Sequence, residues 1–172
     1  MEVETVPMDR EWFSEQIRDR EAAMYALAMS YMKQEDDALD CMQQSILKAY
    51  EHLGSLRDPE KFRPWIYGIL INCCKDELRR KKRAGVSEEQ AEDRPAPEAP
   101  VSTETKQVLW NAVDRLSEPY RTVLILFYYE DLPTADIAAA MDTRPATVRK
   151  QLERARELLK AELEKEGFDE TE

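Results

Sequence analysis

The sequence predicts an all-α protein of two small helical domains. Three observations carry that expectation. Apolar residues recur at spacings of three and four, no stretch sustains the alternation of a half-buried strand, and the 172 residues include only four glycines. At this length the chain forms one ordinary domain or two small ones, and neither hides a large core. With 42% hydrophobic and 35% charged residues, the composition suits amphipathic helices whose polar faces stay in water.

The elements follow in order. Met24, Leu27, Ala28 and Tyr31 trace one helical face, and Leu39, Met42, Ile46, Ala49, Tyr50 and Leu53 trace the next. A third helix is expected to begin at Asp58-Pro59, because Asp accepts bonds from N-terminal amides and Pro suits the first helical position. Its inner face is Phe62, Trp65, Ile66, Ile69, Leu70 and Cys73. The run Arg79 to Arg83 closes it and complements the negative end of the helix dipole. From Ala84 the periodicity disappears, with prolines at 95, 97 and 100 and acidic charge, so 84–106 reads as a flexible linker. Leu109, Ala112, Val113 and Leu116 resume the helical pattern. A helix from about Glu118 to Tyr129 follows, with Val123, Leu124, Phe127 and Tyr128 as its apolar side. A short helix near Thr134 to Met141 is separated by Asp142-Thr143-Arg144 from a last one starting near Pro145, the spacing of a helix-turn-helix. Residues 162–172 read as a fraying acidic tail. The expected domains are therefore 10–83 and 107–161.

A net charge of -11 argues against nucleic acid until its distribution is considered. Residues 57–83 hold 9 basic and 4 acidic groups, and 144–160 hold 6 and 2, whereas 1–53, 84–143 and 161–172 are each strongly acidic. Two basic islands in an acidic chain fit local DNA contact without strong non-specific binding. Cys41, Cys73, Cys74 and the single His52 lack zinc-ligand spacing, so free thiols and no metal are expected. No phosphate loop, nucleophile motif or catalytic triad is supplied, so no catalytic residue and no cofactor are expected. The apolar run Val123 to Tyr129 is far short of the roughly 20 residues that span a bilayer, and the N-terminal residues are acidic and polar, so a cytoplasmic protein without membrane insertion is expected.

The stretches DALDCMQQSILKAYEHL (37–53) and FRPWIYGILINCCKDELRRKKR (62–83) resemble region 2 of the extracytoplasmic-function group of bacterial sigma factors. The stretch from Val113 to Leu159, VDRLSEPYRTVLILFYYEDLPTADIAAAMDTRPATVRKQLERARELL, is similar to region 4 of the same family. Either block alone carries less weight, since helix-turn-helix units occur in many regulators; both in this order, with such a linker, point to the family. The resemblance implies a non-enzymatic protein that joins core RNA polymerase, places it on promoter DNA and helps melt the minus-ten element. It implies polymerase contacts at Asp40, Gln43, Gln44 and Lys48, and minus-ten contacts at Asn72, Lys75, Arg79 and Arg80. A strand held open needs cations and stacking surfaces, which the loop Gly54 to Asp58 and the helix after it would provide. In the last helix, Arg149, Lys150 and Arg154 match positions that face the minus-thirty-five element, Arg144 and Arg156 are placed on phosphates, and Thr147 caps the helix or touches phosphate. The resemblance also implies an anti-sigma factor as regulator.

Plainer readings stand beside these. Arg149, Lys150 and Arg154 also suit a solvated face bonded to Glu153 and Glu157. Trp65 and Tyr67 are both ambiguous between core and stacking surface, and the place of Trp65 on the apolar stripe favours core. The linker carboxylates Glu88, Glu89, Glu92, Asp93, Glu98 and Glu104 fit a simple spacer or a mimic of nascent RNA. Leu39 stands where the family usually has an acidic residue and Gln44 where it has Glu; Pro133 replaces a serine cap and Asp142 a turn glycine. The rival readings are a dimeric helix-turn-helix regulator, which leaves the Arg79 to Arg83 island unexplained, and a sigma-like adaptor that binds polymerase without promoter specificity.

Overall fold

A computed structural model describes residues 7–85 and 103–167, and every regular element among them is helical. The helix α1 (Arg10–Met32) starts where the Asp9 side chain accepts the Trp12 amide at 2.9 Å, and ends at Lys33, whose left-handed backbone returns its N–H to the Met29 carbonyl. Helix α2 (Glu35–Glu51) buries Ala38, Cys41, Met42, Ser45 and Ala49. That stripe lies beside the expected one: Leu39 and Tyr50 are exposed, because small side chains let α2 approach its neighbours closely and turn the flanking large ones outward. Two 3-10 turns follow, and Asp58 caps the second, Pro59–Lys61, through the Glu60 amide. Helix α3 (Phe62–Arg83) therefore starts slightly later than expected.

Helix α4 (Thr103–Asp114) begins inside the stretch read as linker; residues 86–102, with Glu88, Glu89, Glu92, Asp93 and Glu98, lie outside the described residues. On α4 the buried residues are Trp110 and Ala112, while Leu109, expected on the inner face with Ala112, is 45% exposed. The single helix expected from Glu118 divides into α5 (Tyr120–Leu124) and a π-helical turn (Ile125–Tyr129), a register change that carries Tyr128 out of the core to 59% exposure. Helix α6 (Thr134–Ala140) and helix α7 (Pro145–Lys165) form the helix-turn-helix. Asp142 adopts φ 52°, the left-handed turn conformation that Asp tolerates. Arg144 occupies the cap position of α7 in extended conformation without a side-chain bond, and Pro145 opens the helix. Thr147 lies past the cap and does not serve as one. The expected tail is helical through Lys165, because Arg115, just past the end of α4, holds Glu166 at 2.6 Å and Glu162 at 4.0 Å.

Helices α1 to α3 form one unit and α4 to α7 a second, yet the buried apolar residues of both make a single continuous core. Polar and close-packed contacts also join the units. The Tyr31 hydroxyl on α1 shares a buried hydrogen bond of 2.7 Å with Thr122 on α5 and reaches Glu118 at 3.2 Å. Arg20 of α1 and Arg63 of α3 both lie on the Glu130 carboxylate, and Arg63 also donates to the Glu130 carbonyl. Gly68 of α3 abuts the end of α6, where an added Cβ would stand 3.3 Å from the Ala140 carbonyl oxygen.

Candidate nucleic-acid interface

On α3 the residues Asn72, Lys75 and Arg79 are exposed at spacings of three and four, so they share one face. Burial of Ile66, Leu70 and Cys73 on the opposite side fixes which way that face looks. Arg79 bonds Asp76 at 2.9 Å, and Arg80 grips Glu77 with two bonds, 3.0 and 2.6 Å. The bond from Arg80 holds the Glu77 carboxyl below its ordinary range, and Glu77 raises the Arg80 guanidinium in turn. These are surface pairs one helical turn apart, weak in water, which a phosphate displaces at little cost. Lys81 differs from its neighbours in the basic run. It is about a quarter exposed and paired with Asp37 of α2, so it fastens two helices.

Of the two ambiguous aromatics, Tyr67 is fully buried and Trp65 is half-buried. Trp65 packs in an aromatic cluster centred on Phe62, with ring centroids 5.9 Å apart, and Trp12 and Phe13 of α1 complete that cluster at 5.3 and 6.0 Å. Trp65 thus supports the α3 start.

In α7, Val148, Leu152 and Ala155 are buried, and this leaves Arg149, Lys150 and Arg154 exposed on the outer side. Arg154 bonds Glu157 at 3.0 Å. Arg144 is exposed at the helix start and Thr147 is half-buried. Arg156 has another engagement. Its Nε donates to the Tyr128 hydroxyl at 2.6 Å and its guanidinium lies 5.4 and 5.7 Å from the Phe127 and Tyr128 rings. It braces α7 against the π-helical turn, at an edge of the basic face.

On α2, Asp40, Gln43, Gln44 and Lys48 are all exposed. Leu47, 63% exposed, falls in the middle of them, with Leu39 and Tyr50 flanking. Sequence reasoning missed Leu47, though a signal existed: it sits four residues after Gln43 and off the buried stripe. An exposed leucine ringed by polar groups resembles the centre of a protein-binding surface. The α3 and α2 faces lie on one unit and the α7 face on the other.

Among the described residues no three His, Cys, Asp or Glu side chains group to hold a metal, and no helix is long and apolar enough to cross a membrane. Cys41, Cys73 and Cys74 are buried free thiols.

Comparison with known proteins gives two family matches, sigma-70 region 2 over residues 17–84 and sigma-70 region 4 over residues 106–159. The chain is 35% identical over 152 residues to the RNA polymerase sigma factor SigV of Bacillus subtilis, covering 88% of this chain and 91% of that one. It is 27% identical over 169 residues to the ECF RNA polymerase sigma factor SigW of the same organism, covering 90% of each. Among solved structures, the sigma factor RpoE of Bartonella quintana, crystallised with the anti-sigma factor NepR, superposes with a TM-score of 0.75 at 24% identity, covering 90% of this chain and 98% of that one.

Proposed function

The chain belongs to the extracytoplasmic-function group of the sigma-70 family of RNA polymerase sigma factors, and we propose a division of its work among the three exposed faces. As a sigma factor it joins core RNA polymerase and directs promoter-specific initiation. In our reading, Asp40, Gln43, Gln44 and Lys48, with Leu47 among them, dock on the polymerase. Asn72, Lys75, Arg79 and Arg80 engage the minus-ten element, where the asparagine reads a base and the cations hold the backbone of the opened strand. Arg149, Lys150 and Arg154 enter the major groove of the minus-thirty-five element; a guanidinium can bond guanine at two points, whereas the lysine acts as a point charge. Arg144 and Thr147 meet phosphate at the start of α7, and Arg156 reaches phosphate only if its bond to Tyr128 gives way. The work is binding rather than bond-making and takes place on polymerase in the cytoplasm. An anti-sigma factor covers these faces when the protein is idle.

The observation that carries this reading is the presence, in a chain of net charge -11, of two outward basic faces on two separate helical units, both held in place by buried apolar stripes. The test is run-off transcription from a genomic fragment pool with core polymerase, with and without the protein. New start sites sharing two upstream elements are the expected result. Absence of new starts, with a control sigma factor active on the same polymerase, would refute it, and a polymerase-binding assay would then separate the adaptor from the ordinary regulator.

A further inference from the structure

We infer that Cys41 of α2 and Cys74 of α3 form an oxidisable pair that hydrogen peroxide closes into a reversible disulfide, stapling the two helices together. The chemistry is independent of the sigma-factor reading. On that reading, the staple fixes the helix that docks on polymerase to the helix that meets the minus-ten element.

Packing brings the two thiols together. Cys41 is 1% exposed and Cys74 is fully buried, both within the continuous apolar core. Cys41 belongs to the stripe of Ala38, Ser45 and Ala49, whose small side chains let α2 come close to its neighbours. Cys74 follows Leu70 and Ile71 by one turn on the buried side of α3. Asp37 meets Lys81 and, one turn further along α2, Cys41 meets Cys74 in a thiol-to-thiol hydrogen bond. The two contacts agree on one antiparallel packing of α2 on α3. Sulfurs already bonded to each other need only a small approach to reach disulfide geometry, in which the Cβ atoms stand about 3.5–4.5 Å apart. Cys73 is excluded from the pair, because successive helical residues do not face the same way.

The two thiols have different roles. Cys74 donates to Cys41, which holds the Cys41 thiol below its ordinary range against burial and the carboxylates of Glu77, Asp37 and Asp40. The same bond, with burial, pushes the Cys74 thiol up. Cys41 is therefore the nucleophile, since the thiolate is the reacting form. Its sulfur attacks one peroxide oxygen; an S–O bond forms, the O–O bond breaks, and the departing hydroxide takes up the thiol proton as water. The Cys74 sulfur then displaces the hydroxyl from the Cys41 sulfenic acid; the S–S bond forms, the S–O bond breaks, and the Cys74 proton leaves with that hydroxyl as a second water. Each sulfur gives up one electron and the peroxide gains two. Peroxide is uncharged and small, so local opening of the helices is enough to admit it. In a reducing compartment such a link is transient, and thiols restore the pair.

The test treats the folded full-length chain with hydrogen peroxide, quenches it, and alkylates it in denaturant before mass spectrometry. One of the three cysteines should remain open to alkylation, with two hydrogens lost from the chain and the peptide of Cys41 joined to that of Cys74 until dithiothreitol is added. Cys73→Ala should form the same link, which assigns it to Cys74. Cys74→Ala should instead stop at a Cys41 sulfenic acid that dimedone traps. The oxidised wild type should melt roughly 5–10 °C above the reduced chain, because the closed loop restricts the unfolded state. Three alkylated cysteines, a link through Cys73, a link only between chains, or a melting point no higher than that of the reduced chain would each overturn the pair. The peptide map of the wild type decides even where a variant fails to fold, and it does so whether or not the chain supports transcription.

Discussion

The hydrogen bond between Tyr31 and Thr122 offers a direct test of whether the two helical units pack as described. Tyr31 is 4% exposed and Thr122 fully buried, 91 residues apart in sequence, with their oxygens at 2.7 Å. Burial and the nearby Glu118 charge push the Tyr31 phenol well above its ordinary value, so it remains a neutral donor across the accessible pH range. Tyr31→Phe deletes that bond and the one to Glu118 at 3.2 Å, but leaves the Thr122 hydroxyl bonded to Glu118. The expected cost is about 1–2 kcal/mol. For a chain of this size that is a fall in Tm of roughly 3–6 °C. Thr122→Val removes the partner hydroxyl and should cost about as much. In the double variant the shared bond is lost only once, so the combined cost should fall short of the sum by about 0.5–1.5 kcal/mol. The assay is chemical denaturation of the four proteins, followed by circular dichroism. Additivity within about 0.3–0.5 kcal/mol would mean that the two hydroxyls do not meet in solution, and the packing of α1 on α5 would have to be abandoned.

Other consequences concern single faces. Arg149→Ala should weaken promoter binding by about 1–3 kcal/mol and relax sequence preference at one position of the upstream element, whereas Lys150→Ala should weaken all sequences alike and lower the salt slope by about one; randomised-promoter selection and salt titration distinguish them. Leu47→Asp should leave thermal stability within about 0.5 kcal/mol of wild type yet reduce polymerase affinity about tenfold or more; retained affinity in a pull-down titration would remove α2 from the docking surface. Burial raises the Glu130 carboxyl above its ordinary 4.5 even though Tyr67, Arg63 and Arg20 pull it down. A raised folded value means that Glu130 contributes stability below 4.5 and loses it as pH climbs through that folded value. Relative to Glu130→Gln, the wild type should therefore gain stability as pH falls from neutral toward 4.5, and parallel stability curves would contradict the buried placement of this carboxylate.

The candidate sites were legible in the sequence to different depths. Asn72, Lys75, Arg149 and Lys150 could be placed because apolar neighbours at helical spacing assign them to an outer face, and the structure exposes them all. The packing of Arg156 was not legible. Its spacing suits a phosphate contact, but its partner Tyr128 lies 28 residues away and turns outward only because of the π-helical turn. Tyr67 was ambiguous for a similar reason. It lies off the stripe that faces α1 and α2, and becomes core within a two-unit fold.

By itself, the sequence determined the helical class, the position and direction of most helices, the turn between α6 and α7, and the separation of charge into two basic islands. All of these depend on neighbours within a turn or two of one helix, where spacing alone places side chains on a face. Which side of α2 turns inward, where α5 changes register, how Glu130 acquires Arg20 and Arg63, and that Gly68 receives α6 were decided only by the tertiary structure. Those outcomes join residues tens of positions apart, and they follow from which surfaces pack most closely once the helices exist. No local pattern encodes that choice.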